Sequence, residues 1–279
     1  MASLLFTSCS KEDDEVSPKN VNEKDNLQLI ESIGNKGYIV DLLNSSGQLK
    51  VGHNKIYLRL KDSNGNAVNS TTIDWMPMMT MNMGGMPHEH SCPFSNLSKV
   101  SGQENLYEGY IVFTMASDAP NSFWNLEVKV TVDSQDVVFN DKLNVIDVNS
   151  DYNKKFTTVM GSDSVNYILA LLEPTNPKIG VNDIVVALFK KGQNQDFPIV
   201  DNYTIKVDPR MPGMNNHSAP GSQDMRQESD GFYHGKVGLS MSGYWKINLI
   251  LQDASDITVR GEPIKEGNLE SSLNFKLEF

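Results

Sequence analysis

The two halves of this 279-residue sequence resemble each other. Five segments of the first half recur in the second half in the same order, and the offset between matched residues falls from 129 to 121. Chance similarity would not keep five matches collinear, whereas two homologous copies that differ by small deletions would. We therefore predict two homologous domains, residues 29–149 and 150–279, preceded by two N-terminal segments, residues 1–9 and 10–28. The matched pairs are 37–43 with 166–172, 50–56 with 178–184, 90–93 with 217–220, 107–115 with 233–241, and Trp124 with Trp245.

Each copy has the residue patterning of β-strands. Residues 56–60 and 233–241 alternate between apolar and polar side chains, which is the period of a strand with one solvated face. Asn64-Gly65 is a hairpin signal, and no segment combines helical periodicity with capping residues. We therefore predict an all-β chain of two tandem immunoglobulin-like antiparallel β-sandwich domains after a disordered N-terminal tether. Trp124 and Trp245 are expected in the two cores.

The N-terminus has the features of an export signal. A short apolar stretch, residues 4–6, leads through two small hydroxyl residues to Cys9, and an acidic run follows at 12–15. This arrangement resembles the signal peptide of Bacteroidetes-type lipoproteins, which implies lipidation of Cys9. We expect residues 1–9 to be the signal remnant and 10–28 a flexible acidic tether. The protein would then be anchored by lipid to the outer membrane of the cell envelope, with surface display as one option. The alternative is a disordered acidic tail on a cytosolic protein.

Methionine and histidine cluster in one part of each copy. Six of the 13 methionines fall in an eleven-residue window of the first copy, directly before two histidines and a cysteine. Thioether sulfur and imidazole nitrogen are good ligands for a soft ion such as Cu(I), so we predict a copper site, richer in the first copy and leaner in the second. The predicted metal ligands are Met76, Met78, Met79, Met81, Met83, Met86, His88, His90, Met115, Met211, Met214, His217 and Met241, with Cys92 and His234 as additional candidates.

The segment that carries this cluster is expected to be a loop or a broken edge segment. Pro77, Pro87 and the Gly84-Gly85 pair interrupt it, and proline and glycine are poorly suited to strand interiors. Two roles without metal stay open for the methionines, namely that they fill an irregular gap in the core or that they form a soft surface for a protein partner. The repeat alignment pairs Met86 with Met214 and His90 with His217.

Four short motifs of the second copy resemble the YtkA-like family, which is related to FixH-like proteins. They are Met211-Pro212-Gly213-Met214, a nearby His217, the run 231–235, and Met241-Ser242-Gly243-Tyr244-Trp245. The resemblance spans residues 180–252 and, more loosely, 52–132. It implies a small exported immunoglobulin-like domain with a link to copper. Met211, Met214, His217 and Met241 carry over by position, as do Met86, His90 and Met115 in the first copy.

The remaining features bound the function. The net charge of −11 argues against a nucleic-acid partner, because phosphate binding requires clustered cationic side chains. No hydrolase, metalloprotease or phosphate-binding motif is present, so we predict no enzymatic activity and no catalytic residues. The favoured function is copper delivery, buffering or tolerance, with a copper donor or acceptor protein as partner. The alternatives are a surface adhesion or scaffolding protein without metal and an assembly factor for a membrane oxidase.

Overall fold

The computed structural model describes residues 26–279. The predicted signal remnant, Cys9 and nearly all of the predicted tether lie outside the described residues. Of the described residues, most of the regular structure is β-strand, and the strands of the first half are β1 (Gln28–Asn35), β2 (Tyr38–Asn44), β3 (Leu49–Lys50), β4 (Gly52–Asp62), β5 (Thr72–Met83), β6 (Met86–His90), β7 (Ser98–Lys99), β8 (Leu106–Phe113), β9 (Ser122–Val132), β10 (Gln135–Leu143) and β11 (Val145–Ile146).

The second half contains ten strands and a short 3-10 helix at Pro212–Met214. Its strands are β12 (Phe156–Met160), β13 (Asn166–Glu173), β14 (Gly180–Lys190), β15 (Thr204–Met211), β16 (His217–Ser218), β17 (Gln223–Gln227), β18 (Tyr233–Leu239), β19 (Tyr244–Gln252), β20 (Thr258–Arg260) and β21 (Asn274–Glu278).

The first domain is a sandwich of two antiparallel sheets. One sheet has the strand order β1-β2-β4-β8-β7, and the facing sheet has the order β10-β9-β5-β6. Side chains alternate between core and solvent along the strands, as the sequence predicts, and β9 is the clearest example. Trp75 and Trp124 are fully buried between the two sheets.

The second domain has the same kind of sandwich. Its strands follow the path β12-β13-β14-β18-β17-β15-β19-β20, with β16 added on β15 and β21 on β19. Strand β17 pairs with both β18 and β15, so it joins the two layers into one continuous sheet. Trp245 and Tyr233 are buried in its core. The predicted all-β fold with two immunoglobulin-like sandwiches is confirmed.

The two domains are packed against each other through apolar side chains. The hydrophobic cluster of the first domain extends into the second domain, where it includes Ile168 and Ala170 of β13 and Ala187 and Phe189 of β14. A hydrogen bond from the Ser91 N–H group to Gln195 Oε1, 2.8 Å long, also crosses the junction. Apolar burial therefore fixes how one domain sits on the other.

The methionine-rich segment is a regular hairpin rather than the predicted loop or broken edge segment. Strands β5 and β6 pair in antiparallel register on either side of Gly84 and Gly85, which both have positive φ angles. Type I′ hairpin turns require such angles, so the two glycines form the turn that connects β5 to β6 and allow the two strands to pair. Pro77 is tolerated because pairing with β6 begins only at Met79. The Pro77 carbonyl accepts a hydrogen bond from Ser91 Oγ rather than from a strand, and the N–H group that proline lacks would have no ladder partner on that side of β5.

Candidate methionine–histidine site

The register of the β5–β6 hairpin brings methionine and histidine together. Met79 lies opposite His90, and Met81 lies opposite His88. Directly opposite residues in an antiparallel pair project to the same face of the sheet. Met86, two residues from His88 along β6, therefore points to this face as well. We call these five residues, Met79, Met81, Met86, His88 and His90, the hairpin face.

Burial along the hairpin face changes from core to solvent. Met79 is 0% exposed and belongs to the hydrophobic core, whereas Met81 is half-buried against that core. His90 is also half-buried, and His88 is exposed. Met86, nearest the turn, is 67% exposed. The donors accessible to an ion from solvent are thus those of the outer part of the face, and Met79 packs beneath them.

The ring of His90 is held in one orientation. Its Nδ1 atom lies 3.0 Å from the carbonyl oxygen of Ser91. Because a carbonyl oxygen can only accept, Nδ1 is the donor, and in the neutral ring Nε2 then keeps its lone pair. The ring also meets Trp124 edge-on at a centroid distance of 5.7 Å. A histidine fixed by one nitrogen and free at the other is the usual state of a metal-ligating histidine.

Trp124 connects His90 to a further methionine. Its indole Nε1–H group donates a hydrogen bond of 2.9 Å to the carbonyl oxygen of Met115. Met115 is half-buried and packs against the core of the first domain. The predicted ligand Met115, distant in sequence from the hairpin, therefore lies at the same end of the sandwich.

The second domain repeats this arrangement. Met211 lies opposite His217 in the β15–β16 pair, and Trp245 Nε1–H donates to the carbonyl oxygen of Met241 over 3.0 Å. The Ser240 Oγ atom lies 3.4 Å from His217 Nε2, so the residue before Met241 touches the histidine. A Cβ atom placed on Gly243 would lie 3.2 Å from the Met211 Cε atom. Met211, His217 and Met241 therefore meet at one end of the sandwich.

The structure adds one pair to the repeat alignment. Met79 lies opposite His90 and Trp124 in its two strand pairs, and Met211 lies opposite His217. Both methionines are buried, so Met79 corresponds to Met211, a pair that the alignment of Met86 with Met214 does not include. Met214 is 54% exposed and lies on the short 3-10 helix in the connection between Met211 and His217. His90 and His217 occupy equivalent positions, as the repeat alignment predicts.

Met76 and Met78 lie on the other face of β5. They alternate with the hairpin-face residues and, together with Cys92, line a cavity of about 450 Å³ at the domain junction, beside Gln195 and Phe197. Cys92 is completely buried, and burial raises the pKa of its thiol well above the ordinary range. A neutral, buried thiol is a core residue in the first instance.

Met83 and His234 complete the predicted set of ligands. The backbone of Met83 lies opposite Met86 in the hairpin register. His234 is paired instead with Asp230, with 2.9 Å between His234 Nε2 and Asp230 Oδ2. In the first domain, His88, His90 and Met115 thus lie at one end of the sandwich, together with Met81 and Met86 of the hairpin face. His234 is held by Asp230 and is not part of either methionine–histidine cluster.

The sequence predicts Trp124 and Trp245 only as core residues, and their hydrogen bonds to the two methionines are the feature of the site that it misses. The four-residue spacing between Met241 and Trp245 could have indicated their hydrogen bond, whereas Met115 and Trp124 are nine residues apart and give no such signal. Among residues 26–279, no group of three or more His, Cys, Asp or Glu side chains is arranged to hold a metal ion.

The fold and this site define a class of protein: a pair of β-sandwiches, each with a Met–His hairpin and a tryptophan-anchored methionine at one end. Residues 161–249, which contain the second of these sites, match the model of the YtkA-like family. No curated protein matches the chain. Within the part of the chain that the structure describes, no helix has the length and apolar character needed to span a membrane.

Solved structures with similar folds include a DUF4785 family protein from Legionella pneumophila and tandem domains of titin. The Legionella protein is 11% identical, with a TM-score of 0.27, and the match covers 87% of this chain and 56% of that one. The chain thus spans little more than half of that protein. A chimeric titin Z1Z2 tandem is 12% identical, with a TM-score of 0.22, and the match covers 90% of this chain and 97% of the tandem. The fold assignment rests on the strand topology itself.

Proposed function

We propose that this protein binds Cu(I) through methionine and histidine at one end of each domain, for copper delivery, buffering or tolerance in the cell envelope. The observation that carries the proposal is an arrangement that recurs in both domains: a hairpin histidine lies at the same end of the sandwich as a half-buried methionine whose carbonyl oxygen accepts a tryptophan hydrogen bond. Thioether and imidazole donors are a soft ligand set, which suits Cu(I) better than Zn(II), Mg(II) or Ca(II).

The first site is the richer one. Its accessible donors are His88, His90, Met81, Met86 and Met115, and the free Nε2 atom of His90 would be the nitrogen ligand that needs least reorganisation. Bound Cu(I) would be held there in its reduced state, which is the form suited to exchange between proteins. The exposed end of the hairpin would allow a copper donor or acceptor protein to approach.

The second site has fewer donors. Met214, His217 and Met241 are accessible or half-buried, and Met211 is almost fully buried beneath them. Fewer accessible donors give weaker binding, so we expect the second site to have the lower affinity. Unequal sites on one molecule suit transfer of the ion from the weaker to the stronger site or to a partner.

The proposal extends to the domain family and to the location. Residues 29–149 would be a second YtkA-like domain, so that the chain carries two in tandem, with a relation to FixH-like proteins. The matching Trp–Met hydrogen bonds support this. The Cys9 motif supports a lipid anchor in the outer membrane, and soft sulfur ligands without paired thiols suit that oxidising compartment. The proposed role is binding rather than catalysis.

A competition titration tests the copper proposal. The protein is titrated with Cu(I) under reducing conditions against a chromophoric Cu(I) chelator, with Zn(II) in parallel. We expect saturable binding of one or two equivalents of Cu(I) and no competition by Zn(II). The triple variant His88→Ala, His90→Ala, His217→Ala should lose most of this binding, whereas the matched control His234→Ala, which removes a histidine paired with Asp230, should retain it.

The opposite result would change the assignment. Unchanged copper stoichiometry in the triple variant would mean that the histidines are not ligands. Absence of binding in the unmodified protein would leave the exposed methionines as a surface for a protein partner, and adhesion or scaffolding would become the favoured function.

A further inference from the structure

We propose that Trp124 and Trp245 are positioning residues of the two sites, each anchoring the backbone of one ligand methionine so that its thioether faces the hairpin histidine. This inference rests on the proposed copper function. Neither tryptophan would touch the ion, because both are fully buried. Each would act through the methionine that accepts its indole hydrogen bond.

The two anchored methionines lie where no strand holds them. Met115 falls between the end of β8 at Phe113 and the start of β9 at Ser122. Met241 falls in the turn between β18, which ends at Leu239, and β19, which begins at Tyr244. Residues of such connections have no ladder hydrogen bond to fix their carbonyl groups, so another donor must do so. In both domains that donor is the indole N–H group.

The indole of Trp124 also contacts the histidine of its site, whereas Trp245 is linked to His217 only through the Met241 and Ser240 neighbours. In the first domain the edge-on contact with His90 joins Trp124 to both a histidine and a methionine. In the second domain, the anchored Met241 follows Ser240, whose hydroxyl lies within 3.4 Å of His217. In each domain the indole hydrogen bond would thus hold the backbone of the methionine on the side of the site where the histidine lies. Outer-shell groups of this sort commonly change metal affinity about 10–100-fold.

Trp75 provides a matched comparison within the first domain. It is also buried, at 2% exposure, and lies on β5 in the same sheet as Trp124. Its indole N–H group donates to the carbonyl oxygen of Ser95 over 2.7 Å, so it too makes one buried hydrogen bond to the backbone. Replacing Trp75 by phenylalanine therefore causes a similar loss of packing and hydrogen bonding, but at a different carbonyl.

The experiment compares Trp124→Phe, Trp245→Phe and Trp75→Phe by Cu(I) competition against the chromophoric chelator. We expect Trp124→Phe to weaken the tighter class of sites about tenfold, Trp245→Phe to weaken the other class, and Trp75→Phe to leave both affinities within about twofold of the unmodified protein. A purely structural role would lower affinity equally in all three variants. That result would overturn the proposal.

A second measurement uses the unmodified protein and so does not depend on how the variants fold. The chain has three tryptophans, which give three indole N–H cross-peaks in a ¹H–¹⁵N spectrum. Addition of Cu(I) should shift the Trp124 and Trp245 peaks and leave the Trp75 peak in place. If Cu(I) binds and binding needs His90 and His217, but none of these peaks moves, the positioning role is wrong and the copper function stands. If no Cu(I) binds, the function itself is wrong.

Discussion

At the scale of single residues, burial separates methionines that pack from methionines that can bind. Met79 and Met81 lie on the same face of β5, but Met79 is fully buried and Met81 is half-buried. Leucine has nearly the volume of methionine and lacks the sulfur atom. The Met→Leu exchange therefore removes a ligand while costing less than about 1.5 kcal/mol of stability.

We predict that Met81→Leu lowers the Cu(I) affinity of the first site, whereas Met79→Leu leaves it unchanged. Both variants should unfold in urea within about 1.5 kcal/mol of the unmodified protein. Met79→Ala should cost about 2–5 kcal/mol, because it leaves a cavity in the core. The chelator competition and urea curves measure these effects. A loss of affinity in Met79→Leu as large as in Met81→Leu would show that the buried thioether is a ligand.

At the scale of secondary-structure elements, the site depends on the register of one hairpin. A slip of one residue would move His88 and His90 to the opposite face of the sheet, away from Met81. The Gly84-Gly85 turn sets the register, because both residues have positive φ angles and other residue types resist this conformation. A Cβ atom placed on either glycine would have no atom within 4 Å other than those of its chain neighbours, so a substitution there acts mainly through the backbone.

We predict that Gly84→Val with Gly85→Val weakens Cu(I) binding at the first site without a comparable loss of global stability. A β-branched residue at positive φ costs roughly 1–2 kcal/mol, and the hairpin end can detach while the two cores stay packed. Gly84→Asn is the matched control, because asparagine tolerates the left-handed region and should preserve binding. Equal binding in the valine and asparagine variants would mean that the register of this turn does not govern the site.

The hairpin also shows which parts of the molecule the sequence predicts. Alternation of apolar and polar residues, as in β18, correctly indicates strands and hence the sandwich, because burial of one sheet face imposes that period. Pro77 is misleading. The prediction of a loop assumes that position 77 needs a neighbouring strand for its backbone hydrogen bonds, but on the free side of β5 the Pro77 carbonyl oxygen accepts its hydrogen bond from Ser91 Oγ. The Trp124–Met115 hydrogen bond follows from the packing of distant segments, and no local pattern encodes it.

At the scale of the whole molecule, a histidine lies in the junction between the domains. His53 falls in the repeated segment 50–56 but is not among the predicted ligands, and its ring lies 5.3 Å from Tyr110 of the first domain and 6.2 Å from Phe232 of the second. Burial, with a smaller contribution from the positive charge of Lys55, lowers the pKa of His53 from 6.5 to about 4. The docked domains therefore favour the neutral ring.

This shift predicts a pH dependence of stability with a definite sign. Between pH 6.5 and about 4 the unfolded chain binds a proton at His53 and the folded chain does not, so the free energy of unfolding falls as the pH falls. The full effect is about 3.5 kcal/mol, at about 1.4 kcal/mol per pKa unit. Carboxylates titrate in the lower part of this range, so the informative quantity is the difference from His53→Phe, which keeps an aromatic ring but cannot bind a proton. Urea unfolding at pH 7 and pH 5 should show that the free energy of unfolding falls by about 2 kcal/mol more in the unmodified protein than in His53→Phe.

Equal decreases in the two proteins would mean that His53 accepts a proton in the docked state as readily as in the unfolded chain. The junction would then have no part in the acid sensitivity of the fold.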